Sequence, residues 1–231
     1  MYAGAGTARA SRPAMLRGAR MVALGIAAAV LAVGLGLVVH RLAGGSRSKP
    51  AQQIVHERHG MLGAASWAPG VRPAPAIAGL PDQHGRLFSL AALHGHTVAI
   101  VFFDSHCHQE CPLEGHALAA AERPLPRAER PILVAVSVNP QDTPASAAAA
   151  IQAWGLSRLA PWYWLMGSHR MLARAWRAYH IYVGPKVNGD IAHTEAVILV
   201  DKHGYERSAY LYPFMPRFVT HDLRQLAAPK E

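Results

Sequence analysis

The chain has 231 residues, 51% of them hydrophobic and only 16% charged, and its 23 basic against 14 acidic residues give a formal charge of +9. That much hydrophobicity excludes an intrinsically disordered chain, and two cysteines exclude a disulfide-dense secreted scaffold and a four-cysteine zinc site. The high charge invites a nucleic-acid reading, which stands or falls on where the charge sits.

Residues 1–20 form a basic N-terminal segment with Arg9, Arg12, Arg17 and Arg20 and no acid. Residues 21–39 (MVALGIAAAVLAVGLGLVV) then run without a charge. At about 1.5 Å rise per residue this run nearly spans a hydrocarbon core about 30 Å thick. A soluble helix of this length normally shows a polar face. A signal peptide has a shorter apolar region and ends at a small-x-small site, whereas this run ends in His40-Arg41. Residues 21–40 are therefore expected to be an uncleaved, single-pass transmembrane anchor. The basic residues favour a cytoplasmic N-terminus slightly, which puts the C-terminal domain on the extracytoplasmic side of the cell membrane. Residues 41–75, with Gly44, Gly45, Ser46, Ser48, Pro50, Pro69, Gly70, Pro73 and Pro75, read as a flexible tether. Seven of the basic residues and none of the acids fall within 1–49, so residues 50–231 hold 16 basic against 14 acidic residues. The charge belongs to the flanks of a membrane span, and no nucleic-acid partner is expected.

Residues 76–231 are expected to form the globular domain. Asp82-Gln83-His84-Gly85 is a turn, followed by a short extended piece at 87–90. Residues 97–104 (TVAIVFFD) form a continuous apolar run rich in β-branched and aromatic side chains, which predicts a buried central strand. Pro112 suits the first turn of a helix reaching about Glu122. A second buried strand is expected at 132–138. Thr143-Pro144 supplies an N-cap followed by Pro, opening a helix to about Trp154. Ser168 caps a further helix through Tyr179. Residues 196–200 and 205–212 flank Asp201-Lys202-His203-Gly204, a hairpin signal, and Pro216 opens a terminal helix. The order is β-α-β-α-(β)-α-β-β-α, an α/β domain with a parallel part and an antiparallel edge. This fits a thioredoxin-like mixed sheet flanked by helices.

The cysteines lie together in Asp104-Ser105-His106-Cys107-His108-Gln109-Glu110-Cys111-Pro112, where a buried strand gives way to a helix. α/β folds place their sites at this edge of the sheet. A helix N-terminus lowers a thiol's pKa, and the thiolate is both nucleophile and metal ligand. Three intervening residues set the sulfurs one helical turn apart, close enough to grip one small ion or to close a disulfide. A purely structural disulfide across so short a loop would contribute only about 2 kcal/mol, which a domain with this much core does not need.

Cys107-x-x-x-Cys111-Pro112 after a buried strand, with the distant His193 in Ala192-His193-Thr194-Glu195 ahead of a strand and hairpin, resembles the Sco/SenC family of membrane-anchored copper chaperones. Ser137-Val138-Asn139-Pro140-Gln141-Asp142-Thr143-Pro144 and Leu80-Pro81-Asp82-Gln83-His84-Gly85 are similar to further family segments, and the resemblance covers about 76–228. It departs at Asp104, where the family usually has Tyr, at Ser105 (Thr), at Asn139 (Asp), and at Ile191-Ala192 before the histidine. The resemblance implies that Cys107, Cys111 and His193 bind copper and deliver it to the Cu(A) site of cytochrome c oxidase. Cu(I) is soft and suits thiolate, with imidazole acceptable. Structural zinc normally takes four closed ligands, and His106 or His108 would supply one more; otherwise they are solvated loop residues. The pair must be reduced to bind Cu(I), so outside the cytoplasm a thiol reductant is an expected partner.

The rival reading is a membrane-anchored thiol–disulfide oxidoreductase acting on partner cysteines through the redox pair Cys107 and Cys111. Its usual motif is C-x-x-C with Pro before the facing strand; here the spacing is longer and His193-Thr194 stands there instead. A peroxiredoxin would want Thr where Asp104 stands. His56, His59, His94 and His96 read as surface residues, and Trp162, Tyr163, Trp164 and Trp176 as packing.

Overall fold

The computed structural model describes residues 57–157, 161–187 and 189–228. The basic segment and the expected anchor at 21–40 lie outside the described residues. Among the described residues, no helix is long and apolar enough to cross a membrane. In chain order the strands are β1 (Ala65–Ser66), β2 (Ala78–Pro81), β3 (Leu87–Ser89), β4 (Val98–Phe103), β5 (Ile132–Ser137), β6 (Trp162–Leu165), β7 (Val183–Val187), β8 (Asp190–His193), β9 (Ala196–Val200) and β10 (Glu206–Leu211). The α-helices are α1 (Glu110–Glu122), α2 (Pro144–Ala153), α3 (His169–Ala178) and α4 (Pro216–Ala227).

The main sheet has the order β1-β10-β9-β4-β5-β6. β4, β5 and β6 are mutually parallel, while β9, β10 and β1 complete it antiparallel. β2 pairs with β3 and β7 with β8 as two separate hairpins. This is the thioredoxin-like mixed sheet flanked by helices that the sequence predicts. The alternation along β4 explains both layers. Ala99, Val101 and Phe103 pack with residues of α1, α2 and α4, including Leu118, Ile151 and Leu223. Ile100 and Phe102 face the opposite side, where Leu172, Trp176 and Tyr179 lie. Covered on both faces, all six residues of β4 are buried, which is why the strand reads as an unbroken apolar run.

Local chemistry sets the helix ends. Thr143 and Ser146 form a capping box on α2, with the Ser146 amide donating to Thr143 Oγ1 at 3.1 Å and the Thr143 amide donating to Ser146 Oγ at 2.9 Å. Trp162-Tyr163-Trp164, read from sequence as packing, forms β6 at the bracketed strand of the expected order, and Trp164 is wholly buried beside Phe103 and Trp154. The β7–β8 hairpin is absent from the sequence reading, because its residues are half-exposed or exposed and lack a clear alternation. The range 41–75, expected as tether, contains folded residues at its C-terminal end. Met61 is buried, β1 adds an edge strand to β10, and Arg72 pairs with Glu206.

Helix α1 lies close to α2 because Gly115 has no side chain: a Cβ there would come within 2.9 Å of Trp154. Gly115→Ala should cost about 1–3 kcal/mol through overpacking, read as a lower urea midpoint. A second test concerns Glu122, buried at the end of α1. Burial holds its carboxyl up to about 8 from an ordinary 4.5, opposed in part by Arg130. The folded chain thus keeps a proton that the unfolded chain releases. Stability from this group is complete below about 4.5 and is lost as pH rises through about 8. Urea midpoints between pH 5 and 9 should therefore decline less in Glu122→Gln than in the wild type.

Candidate metal centre

The end of β4 leads directly into the cysteine loop, and a buried polar network fixes that loop. Asp104 is fully buried; its Oδ1 accepts from the His106 amide and from Asn139 Nδ2, both at 2.9 Å. Ser105 donates from its amide (3.2 Å) and hydroxyl (2.6 Å) to Asp142 Oδ1. Asp142 Oδ2 accepts from Ser137 Oγ at 2.6 Å and Trp164 Nε1 at 3.1 Å. Burial pushes the Asp142 carboxyl up, against the pull of the Ser105, Ser137 and Trp164 donors. The sequence reading did not single out this network, since its members are far apart along the chain.

Cys107 is half-buried in the loop, while Cys111 is fully buried in the first turn of α1; both are free thiols. Interaction with the Cys111 side chain, assisted by the backbone amides of Gln109, Cys111 and Glu110 against the cost of burial, pulls the Cys107 thiol down to about 6 from an ordinary 9. Cys111 is driven strongly upward by the same interaction and by burial. The pair is thus asymmetric, with Cys107 favouring the thiolate and Cys111 the thiol, at a helix N-terminus.

His193 comes from the last residue of β8, opposite Val183 of β7. The hairpin is held against the cysteine loop by Asp190, which accepts from the His108 amide at 3.2 Å and from Gln109 Nε2 at 3.0 Å. His193 Nε2 lies 3.7 Å from Cys111 Sγ and 2.9 Å from the Phe102 carbonyl oxygen; Nδ1 lies 2.9 Å from the Ile191 carbonyl oxygen. The Phe102 carbonyl is available because β9 pairs with β4 only as far as Val101, while β5 continues to Phe103. A neutral imidazole has one N–H. With that proton on Nδ1, donated to Ile191, Nε2 turns a lone pair toward Cys111, the tautomer a metal ligand requires. With the proton on Nε2, the Phe102 carbonyl accepts it, and the ring is held in place without metal.

Of the sequence-predicted residues, the structure brings Cys111 and His193 together and leaves Cys107 outside their tight group of donor atoms. It adds Glu195, missed in the sequence reading: ligand atoms of Cys111, His193 and Glu195 all lie within 4.8 Å of one another. Burial, with Glu110 and Cys107 nearby, holds the Glu195 carboxyl up to about 8. His106 and His108 face acids: His106 Nε2 lies 4.0 Å from Asp142 Oδ1, and His108 Nδ1 3.8 Å from Asp190 Oδ1. Glu114, one turn beyond Cys111, is fully buried with both carboxylate oxygens unpartnered, and burial together with Glu195 raises it well above the usual carboxylate range.

Residues 79–228 match the SCO1/SenC family. No curated protein matches the chain in sequence. Among solved structures, the chain is similar to Bradyrhizobium japonicum ScoI with copper bound, at 24% identity and a TM-score of 0.54 over 67% of this chain and 99% of that one. It is also similar to a SCO1/SenC family lipoprotein from Bacillus anthracis, at 21% identity and a TM-score of 0.61 over 71% and 100%. A third is BsSco, described as a member of the Sco family of cytochrome c oxidase assembly proteins and as carrying a disulfide switch. It is 20% identical, with a TM-score of 0.58 over 71% and 99% of the two chains.

The sulfur pair makes a direct prediction. Alkylation of the reduced chain by iodoacetamide should modify Cys107 at a rate that rises through about pH 6 and levels off above it, while Cys111 stays unmodified. A single rise near pH 9 would show that the sulfurs do not share a proton.

Proposed function

We propose a copper-carrying role for this chain, which belongs to the SCO1/SenC family, with Cu(I) as the cargo and Cys107, Cys111 and His193 as the ligands. The observation that carries this reading is the approach of His193 Nε2 to within 3.7 Å of Cys111 Sγ, at the helix start that follows Cys107. Two sulfurs and an imidazole are the donors that soft Cu(I) prefers. Cys107 enters as a thiolate, Cys111 gives up its proton on loading, and Nε2 exchanges its contact with the Phe102 carbonyl for the ion; metal binding therefore releases protons. Three donors leave a position where a partner's ligand attacks and draws the ion away. By family resemblance, and because BsSco is described as a cytochrome c oxidase assembly protein, the client is the copper-site subunit of cytochrome c oxidase, at its Cu(A) site. A thiol reductant keeps the pair open.

Residues 21–40 serve in this reading as a single-pass anchor, 41–75 as the segment leading from it, and 76–231 as the copper-binding domain on the extracytoplasmic side of the cell membrane. The uncharged run at 21–39 supports this, as does the lipoprotein description of the Bacillus anthracis relative. The lowering of the Cys107 thiol by Cys111, a second free cysteine, also favours a second reading, thiol–disulfide exchange with partner cysteines.

The test is a Cu(I) competition titration of the reduced full-length chain in detergent. The wild type should bind one ion tightly, His193→Ala should lose at least about tenfold in affinity, and Cys111→Ser should lose tight binding altogether. A wild type without tight binding refutes the copper reading. Vigorous insulin reduction by that same protein would establish the second.

A further inference from the structure

A three-donor account of the centre leaves Glu195 without a role. Its carboxylate lies in one tight group with Cys111 and His193, all donor atoms within 4.8 Å. Glu195 is not free to swing away with a loose loop. It sits in the two-residue link between β8 and β9, and its own carbonyl accepts from the Tyr212 amide at 3.0 Å. The same link follows His193, so imidazole and carboxylate are presented from one short piece of backbone.

Carboxylate oxygen is a hard donor, suited to divalent ions and poorly matched to Cu(I). Charge separates the two cases as well. Two thiolates and a carboxylate around a monovalent ion leave one more negative charge uncompensated than around a divalent ion, and that excess is costly in a half-buried site. Four donors of the types sulfur, sulfur, nitrogen and oxygen also complete the tetrahedral set that ions such as zinc take in closed sites.

Resting on the copper-carrying reading above, we infer that Glu195 is a fourth donor, engaged by divalent ions and disengaged with Cu(I). The consequence is a valence-dependent hold. A divalent ion is enclosed by the chain's own four donors, with no position left for a partner. Cu(I) is held by Cys107, Cys111 and His193 and stays open to ligand exchange.

Co(II), added without oxygen to the reduced full-length chain, is the probe. Its ligand-field spectrum reports coordination, and it does not oxidise the thiols. The wild type should bind one Co(II) with a four-coordinate spectrum. Glu195→Gln, nearly the same size and shape, should lose at least about tenfold in Co(II) affinity and change the spectrum, while its Cu(I) affinity stays at the wild-type value; Glu195→Asp should recover part of the Co(II) affinity. The inference is overturned if Glu195→Gln binds Co(II) as the wild type does, if Co(II) and Cu(I) affinities fall together, or if the wild type binds Cu(I) but not Co(II). A wild type that binds no Cu(I) would instead overturn the copper-carrying reading itself.

Discussion

Strand β4 has no side that faces water. Packed between two layers of side chains and between two neighbouring strands, it meets solvent only where it ends. The chemistry of this domain is gathered at that end for this reason. The cysteine loop leaves from Phe103, and the imidazole of His193 reaches the carbonyl of Phe102 that β9 stops short of pairing. An unpaired strand carbonyl near the core would be costly. The same vacancy in the ladder thus gives His193 a fixed station beside Cys111.

The second organising force is electrostatic. α1 begins among the cysteines, so its first amides point at the Cys107 sulfur and favour the thiolate. Glu110 and Glu195 lie near this sulfur, and burial keeps Glu114 and Glu195 above the usual carboxylate range. The centre is therefore rich in groups that hold protons. A cation that enters replaces protons rather than arriving at an empty, neutral cavity.

The layers of the domain were legible in the sequence because burial on both faces leaves a mark. The runs 98–103 and 132–136 admit no polar residue, and Thr143-Pro144 announces α2 through capping chemistry that is local. Cys107 and Cys111 stood out because they are the two cysteines of the chain and sit where a strand gives way to a helix; His193, one of 14 histidines, stood out through the family resemblance. The β7–β8 hairpin was not legible: Gly184, Pro185 and Lys186 show no alternation, and its position depends on Asp190 meeting the cysteine loop some eighty residues away in sequence. Glu195 was hidden for a related reason. An acid beside a strand looks like a solvated loop residue until the fold brings it to a sulfur. The polar network beneath the loop is likewise a tertiary fact, since Ser105, Asp142 and Trp164 carry no shared local pattern.

The contact between Asp104 and Asn139 has a consequence for how this sequence can change over time. Asn139 Nδ2 donates to Asp104 Oδ1, and the other oxygen of Asp104 is buried without a partner. An acid at 139 would set two carboxylates face to face beneath the cysteine loop, while an apolar residue there would strip Asp104 of a donor it needs. The two positions are therefore a single heritable unit. With the acid at 104 kept, an acid at 139 would have to share one proton with it beneath the cysteine loop; with that acid gone, the conflict disappears.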